Sequence, residues 1–140
     1  MMEVMDESLP APMVWPTVRA RDARALIAFL TEALGFEEVV VHANGDLVEH
    51  AELAWPQGGG VMLGSERTRD GSGTGAPGSL SVYVACDDPD ALCARAVAAG
   101  AVLERDLYDT DYGSRDFQIR DPEGNHWSFG TYRGHRHGTP

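Results

Sequence analysis

Apolar and polar positions along this chain fall into two periods, one helical and one alternating, and they recur in the same order in each half. The first half opens on an apolar-rich run, Val14 to Ala20, that reads as a strand. Asp22 follows as an N-cap whose carboxylate can accept from free helix N–H groups. Behind it Leu26, Ile27, Phe29, Leu30 and Leu34 recur at helical spacing. Gly35 can end that helix in a left-handed conformation. The valine-rich stretch Glu37 to His42 predicts the second strand. Asn44-Gly45 then predicts a hairpin turn, because both residues tolerate positive φ. Leu47 to Ala54 is the next strand, Pro56 to Gly60 the next turn and Val61 to Leu63 a short last strand.

The second half repeats this order. Leu80 to Ala85 reads as a strand, and Asp88-Pro89 as a helix start with Asp as cap and Pro at the first helical position. Leu92, Ala96, Val97 and Ala99 line the helix, which Gly100 ends. Ala101 to Leu107, Arg115 to Arg120 and His126 to Thr131 are the remaining strands, with Asp121 to Gly124 as the last turn. The pattern is β-α-β-β-β, twice. Between the copies, Ser65 to Gly78 is rich in Gly, Ser and Thr and reads as a flexible linker. A lone unit leaves a sheet edge and one face open. The expected architecture is therefore α+β, with two βαβββ repeats whose mixed sheets curl around a cavity and whose helices lie outside. Its parts are an acidic N-terminal tail 1–12, repeat one 13–64, linker 65–78, repeat two 79–132 and a C-terminal tail 133–140.

The segment Tyr112-Gly113-Ser114-Arg115-Asp116-Phe117-Gln118-Ile119-Arg120-Asp121-Pro122-Glu123-Gly124-Asn125 closely resembles the closing motif of the vicinal-oxygen-chelate superfamily, which includes glyoxalases, extradiol dioxygenases and bleomycin-resistance proteins. The helix ending Ala33-Leu34-Gly35-Phe36 is similar to that family's usual ending. With the element order, the resemblance spans residues 13–132. It specifies a fold far more than a reaction, since this fold hosts unrelated chemistries.

Size and charge narrow the partners. At 140 residues the chain is long enough for one domain with a real core. Its net charge of −11 and pI near 4.7 disfavour nucleic acid, which needs clustered Lys and Arg. The acidity serves solubility and also favours cationic ligands. No apolar stretch is long enough to span a bilayer. The N-terminal segment carries Glu3, Asp6 and Glu7 and lacks the basic start of a secretory signal, so the cytoplasm is the expected compartment. Cys86 and Cys93 read as buried, reduced thiols.

The resemblance implies a divalent ion held by residues on the first, fourth, fifth and eighth strands. Counting from the helix caps and the final turn, those positions fall on Trp15, on Met62 or Leu63, on Ser81 and on Ser128. None is a His or a carboxylate, and such residues do not anchor a hard or borderline cation. No metal and no cofactor are therefore expected. His50 and Glu52 alternate on the third strand and share a face, opposite Leu47, Ala51 and Leu53. Two readings of this pair stand: a polar clamp on a ligand, or a general base (Glu52) tuned by His50. Trp15 is either a core plug or a stacking surface for a planar ligand. Trp55 is expected at a rim or an interface. Tyr108 and Tyr112 flank an acidic loop carrying Asp106, Asp109 and Asp111, and His126 lines the cavity mouth or caps its turn. Trp127 and Phe129 are assigned to the core. His135 and His137 fall in the C-terminal tail.

By resemblance to the metal-free, bleomycin-resistance-like members, the chain is expected to be a metal-independent protein that sequesters a planar or cationic antibiotic-like ligand without transforming it. The pocket would lie at a homodimer interface, with strand or domain exchange permitted by the linker. The candidate ligand-binding residues are Trp15, His50, Glu52, Trp55, Ser81, Tyr108, Tyr112, His126 and Ser128. The alternative is a metal-dependent or acid/base enzyme of the glyoxalase, epimerase or dioxygenase type, with Glu52 and His50 as its catalytic pair.

Overall fold

A computed structural model describes residues 11–66 and 75–135. Most of the acidic tail, the middle of the linker and His137 lie outside these residues. The first repeat runs β1 (Thr17–Ala20), α1 (Ala23–Glu32), β2 (Glu37–Asn44), β3 (Leu47–Ala54) and β4 (Gly60–Ser65). The second runs β5 (Ser81–Ala85), α2 (Pro89–Ala98), β6 (Val102–Asp109), β7 (Arg115–Arg120) and β8 (His126–Gly130). Each repeat forms its own four-stranded sheet, ordered β1-β4-β3-β2 and β5-β8-β7-β6. The first strand of each repeat pairs parallel with the last, and the other pairings are antiparallel.

Local chemistry sets the element ends. Asp22 accepts from the Ala25 N–H and Asp88 from the Ala91 N–H, both at 3.1 Å. Gly35 and Gly100 close the helices with φ of 86° and 92°. β1 begins at Thr17, three residues later than the apolar run suggests. Pro16 has no N–H to donate, although its carbonyl still accepts from Met62 N at 3.0 Å. The β2–β3 hairpin also differs from expectation. Gly45 has φ of 63°, and no described non-glycine residue has positive φ, so Asn44 does not join the turn as an αL residue. Gly45 and Asp46 are the central pair, and a glycine first with negative φ second is the sign pattern of a II′ turn.

The core lies between each sheet and its helix. In the first repeat Val18, Ala20, Val48, Ala51, Leu53, Val61 and Leu63 are buried with Leu26, Ile27 and Leu30 of α1. In the second, Phe117, Ile119, Trp127 and Phe129 are fully buried, as expected for Trp127 and Phe129, and Cys93 and Ala96 close the core from α2. The two cores join through aromatic rings. Phe36 lies 5.0 Å from Trp55 and 5.6 Å from Trp127 between centroids. The Trp55 indole N–H donates to the Ala85 carbonyl across the join at 3.0 Å.

The second repeat also holds α1 at both ends. The Glu123 carboxylate accepts from the backbone N–H of Arg21 (2.8 Å) and Asp22 (3.0 Å) at the helix N-terminus. At the other end the Arg95 guanidinium donates to the carbonyls of Glu32 (3.0 Å) and Thr31 (3.3 Å). An anion at the N-terminus and a cation at the C-terminus are the arrangement the helix dipole favours. Glu123 is aimed by its own turn, which Asp121 organises. That buried carboxylate accepts from the N–H groups of Glu123 and Asn125, the Asn125 amide and the Trp127 indole. Asn125 in turn accepts from Leu80 N at 2.9 Å, tying the turn to the start of β5.

Candidate functional site on the open sheet faces

Alternation leaves the second face of each sheet free of its helix. On the first sheet, register places Val40, Glu52, Met62 and Thr17 in one row across four strands. The next row carries His42 and His50, with Arg19 opposite Gly64. A hollow of about 280 Å³ opens here, bordered by Thr17, Arg19, His50, Met62 and Gly64. Of the two fourth-strand candidates, Met62 is partly exposed on this face and Leu63 is buried in the core.

His50 and Glu52 do share this face. The His50 Nε2 lies 2.8 Å from Glu52 Oε2, with both side chains partly exposed. The His42 ring stacks near His50 at 6.4 Å, inclined 20°. The core-facing set differs from expectation in one residue. Leu47 is half exposed, and Val48 packs in the core instead. Across the register shift His42 pairs with His50 and Ala43 with Val48. Glu49 is therefore an extra, bulged residue, and a bulge moves later side chains to the other face. Trp15 lies just before β1, with its indole N–H donating to Pro12 O at 3.0 Å. Its ring rests on Gly60, where a Cβ would lie 2.9 Å from the ring and 2.3 Å from the Leu53 carbonyl oxygen.

On the second sheet one row holds Tyr83, Ser128 and Gln118, and the next holds Ser81, His126 and Arg120. Glu104 bridges the latter: one oxygen meets His126 Nδ1 at 2.6 Å and the other accepts from Arg120 at 2.5 Å. The hydrogen bond from His126, then that from Arg120, holds the Glu104 carboxyl below its ordinary range. His126 is thus an oriented member of the open face, not a cap on its turn. Further along, Asp116 is 5% exposed and accepts from the Ser114 hydroxyl at 2.5 Å. Beside it the Tyr83 hydroxyl donates to the Tyr132 carbonyl at 2.8 Å, and burial pushes the Tyr83 phenol up.

Three further anticipated residues lie outside these rows. Trp55 is packed between the repeats and borders a separate cleft of about 260 Å³ with Phe36, Trp127, Val82 and Val84. Tyr108 is covered by the Arg105 guanidinium, 3.4 Å above its ring. Tyr112 is 62% exposed and meets Tyr132 edge-on at 5.5 Å. Thr17, Arg19, Tyr83, Asp116, Gln118 and Arg120 were not singled out from sequence. Strict alternation around Phe117 and Ile119 signals the last three.

The four positions that the resemblance assigns to an ion carry an indole, a thioether and two hydroxyls. This donor set does not fit a divalent cation, which needs carboxylate, imidazole or thiolate ligands. Nor do the described residues bring three His, Cys, Asp or Glu side chains together for a metal. The faces do offer what a bound organic molecule uses: hydrogen-bonding groups fixed by neighbours, a thioether and aromatic surface.

The fold is shared with known proteins. The family model for the Glyoxalase/Bleomycin resistance protein/Dioxygenase superfamily matches residues 13–129. Among solved structures, TioX from Micromonospora sp. ML1 is 29% identical, covering 84% of this chain and 97% of that one with a TM-score of 0.68. A glyoxalase/bleomycin resistance protein from Streptomyces sp. CB03234 is 25% identical, covering 81% of this chain and 94% of that one with a TM-score of 0.63. TnmS3, an antibiotic binding protein from the same Streptomyces, is 24% identical, covering 81% and 88% with a TM-score of 0.63; this likeness is one of fold. No curated protein matches the chain.

Proposed function

Within the Glyoxalase/Bleomycin resistance protein/Dioxygenase superfamily, to which this chain belongs, we propose that it is a metal-independent receptor that sequesters a planar or cationic antibiotic-like molecule. The observation that carries this reading is the chemistry of the ion-binding positions: Trp15, Met62, Ser81 and Ser128 offer contact surface and weak hydrogen bonds where catalytic relatives need charged or imidazole donors. TnmS3, an antibiotic binding protein, has the same fold, with which this reading is consistent.

A second copy of the chain completes the pocket in this proposal. Each sheet leaves one face uncovered and has two edge strands, β1 and β2 in the first and β5 and β6 in the second. Open faces and edges of this kind are normally covered by a partner. A homodimer in which the first sheet of one protomer faces the second sheet of its partner would bring His50, Glu52 and Met62 opposite Ser81, Tyr83 and Ser128.

The test joins three measurements. Protein purified without added ions is analysed for bound metal, titrated with bleomycin-like and quinoxaline-like compounds by tryptophan fluorescence, and the compound is recovered afterwards. The expected outcome is substoichiometric metal, saturable quenching at one site per protomer, and unchanged compound on release. Stoichiometric Mn, Fe, Ni or Zn would overturn the proposal. The His50–Glu52 contact favours a second reading, acid/base catalysis, which a chemically altered compound on release would establish.

A further inference from the structure

Three of the chain's four tyrosines gather at one end of the second sheet. Tyr83, Tyr112 and Tyr132 are 43%, 62% and 39% exposed. Tyr83 is tied to the Tyr132 backbone through its hydroxyl, and Tyr112 meets the Tyr132 ring edge-on, 77° between planes. Exposed aromatic rings are costly to solvate, and grouping three of them needs a reason.

A carboxylate sits against this group. A Cβ on Gly130 would lie 1.9 Å from Asp116 Oδ1 and 2.7 Å from the Tyr83 hydroxyl oxygen. The missing side chain therefore lets both oxygens occupy one small space over β8. Ser114 donates to Asp116 Oδ1, and its oxygen also receives the Tyr132 N–H at 3.0 Å, so the carboxylate and the aromatic group are fixed together. Asp116 Oδ2 makes no hydrogen bond among the described residues. None of their buried polar side-chain atoms is sealed off without a partner, so this oxygen keeps some contact with solvent.

The surrounding charge is mixed, but its basic groups are engaged, and His135 Nδ1 meets the Tyr132 hydroxyl at 3.0 Å. Asp111 stands beside Tyr112 on the β6–β7 loop. The nearby guanidiniums are already committed, Arg115 to Asp90 and Asp109 and Arg133 to Asp87. An anionic ligand would meet this carboxylate, while among the described residues Arg115 and Arg133 are engaged with other carboxylates. A cation meets the negative faces of aromatic rings and a fixed counter-charge.

We propose that the Tyr83–Tyr112–Tyr132 group with Asp116 is a recognition site for an organic cation, seating a protonated or quaternised nitrogen of the ligand at this end of the open face. The inference rests on the receptor reading above and specifies its ligand: a planar body over the sheet, with a cationic substituent toward β7 and the β6–β7 loop.

The experiment compares two flat probes of similar shape, 1-methylquinolinium and neutral quinoline at pH 8. Calorimetry gives affinity, and ring signals of ¹³C-labelled tyrosine give location. A cation–π contact with a partly buried counter-charge predicts that the quinolinium binds about tenfold more tightly than quinoline. It should also shift the Tyr83, Tyr112 and Tyr132 signals. Asp116→Asn keeps the acceptor for Ser114 and removes the charge. Tyr112→Leu alters only an exposed ring and guards against a folding failure of the first variant. Each should bring the ratio of affinities to within about twofold. If quinoline binds as well as quinolinium in the wild type, or the preference survives both substitutions, the cation site is refuted while the receptor reading stands. If neither probe binds, the receptor reading itself fails, and this inference with it.

Discussion

The Glu123 carboxylate is the sharpest place to perturb the fold, because one side chain of the second repeat closes a helix of the first. Its side chain is 6% exposed and accepts from the backbone N–H groups of Arg21 and the N-cap Asp22, at 2.8 and 3.0 Å. The Arg21 guanidinium at 3.6 Å is 62% exposed, so its share is small. A hydrogen bond to a charged group contributes about 1.5–3 kcal/mol net. A carboxylate at a helix N-terminus gains about 0.3–1 kcal/mol more from the dipole. Water reaching the vacated site offsets part of the loss. Glu123→Ala should therefore cost about 2–3 kcal/mol, which for a domain of this size lowers Tm by about 6–12 °C. Glu123→Gln keeps one acceptor oxygen and should cost about half as much. Arg95→Met keeps an apolar stem but loses the guanidinium beside Gly35 and its two bonds to the far end of α1. Its cost should be about 1–2 kcal/mol. The two sites lie about 15 Å apart along the helix, so the double variant should sum its parts within about 0.5 kcal/mol. The assay is urea unfolding followed by circular dichroism at one fixed protein concentration, since association would shift apparent stability. A Glu123→Ala protein within about 0.5 kcal/mol of wild type would show that the turn does not hold the helix.

Trp127→Phe removes the indole N–H that reaches Asp121 at 2.9 Å and leaves a gap in a fully buried site. It should cost about 2–4 kcal/mol by the same unfolding assay. Burial pushes the Cys86 thiol up to about 11. The folded state thus favours the protonated thiol, a contribution fully present below the ordinary value of 9.0 and lost as pH rises toward about 11. Stability measured across that window should fall less steeply in Cys86→Ala, and native protein should resist thiol reagents at pH 8. Glu52→Gln breaks a partly exposed pair and should change stability by less than about 1 kcal/mol. Under the receptor proposal it should weaken ligand binding by about three- to tenfold in the fluorescence titration. Equal affinity for both proteins would remove Glu52 from the site.

The fold was legible because its determinants are local. Asp22 and Asp88 cap, Gly35 and Gly100 terminate, and the strands alternate, each readable within a window of a few residues. Where local reading failed, a long-range or steric term decided. Pro16 shortened β1 from within the apolar run. The turn glycine took the first central position of its hairpin, which fixed the pairing of Ala43 with Val48 and pushed Glu49 out as a bulge. Nothing in Leu47-Val48-Glu49 alone says which residue faces inward; the partner strand chooses.

The site was less legible for the same physical reason, carried further. Its rows run across strands, so their membership depends on register between segments far apart in sequence. Glu104, Arg120 and His126 become one hydrogen-bonded group only because β6, β7 and β8 pair as they do. Asp116 illustrates the limit. In sequence it is one of many carboxylates in an acidic chain, and its neighbours Phe117 and Ile119 show only that it faces away from the core. What sets it apart is Gly130, on another strand, whose missing Cβ gives the carboxylate room, and Ser114, which fixes it there. Gly130→Ala makes the dependence measurable. The added carbon must displace Asp116, Tyr83 or β8 itself, since 1.9 Å is below any tolerable contact. Overpacking of this kind costs about 1–3 kcal/mol. If the carboxylate yields, the preference for a cationic probe should disappear while the far face, with His50 and Glu52, keeps its response. A Gly130→Ala protein with unchanged stability and unchanged cation preference would mean that the close approach of Asp116 to β8 is not what shapes this end of the sheet.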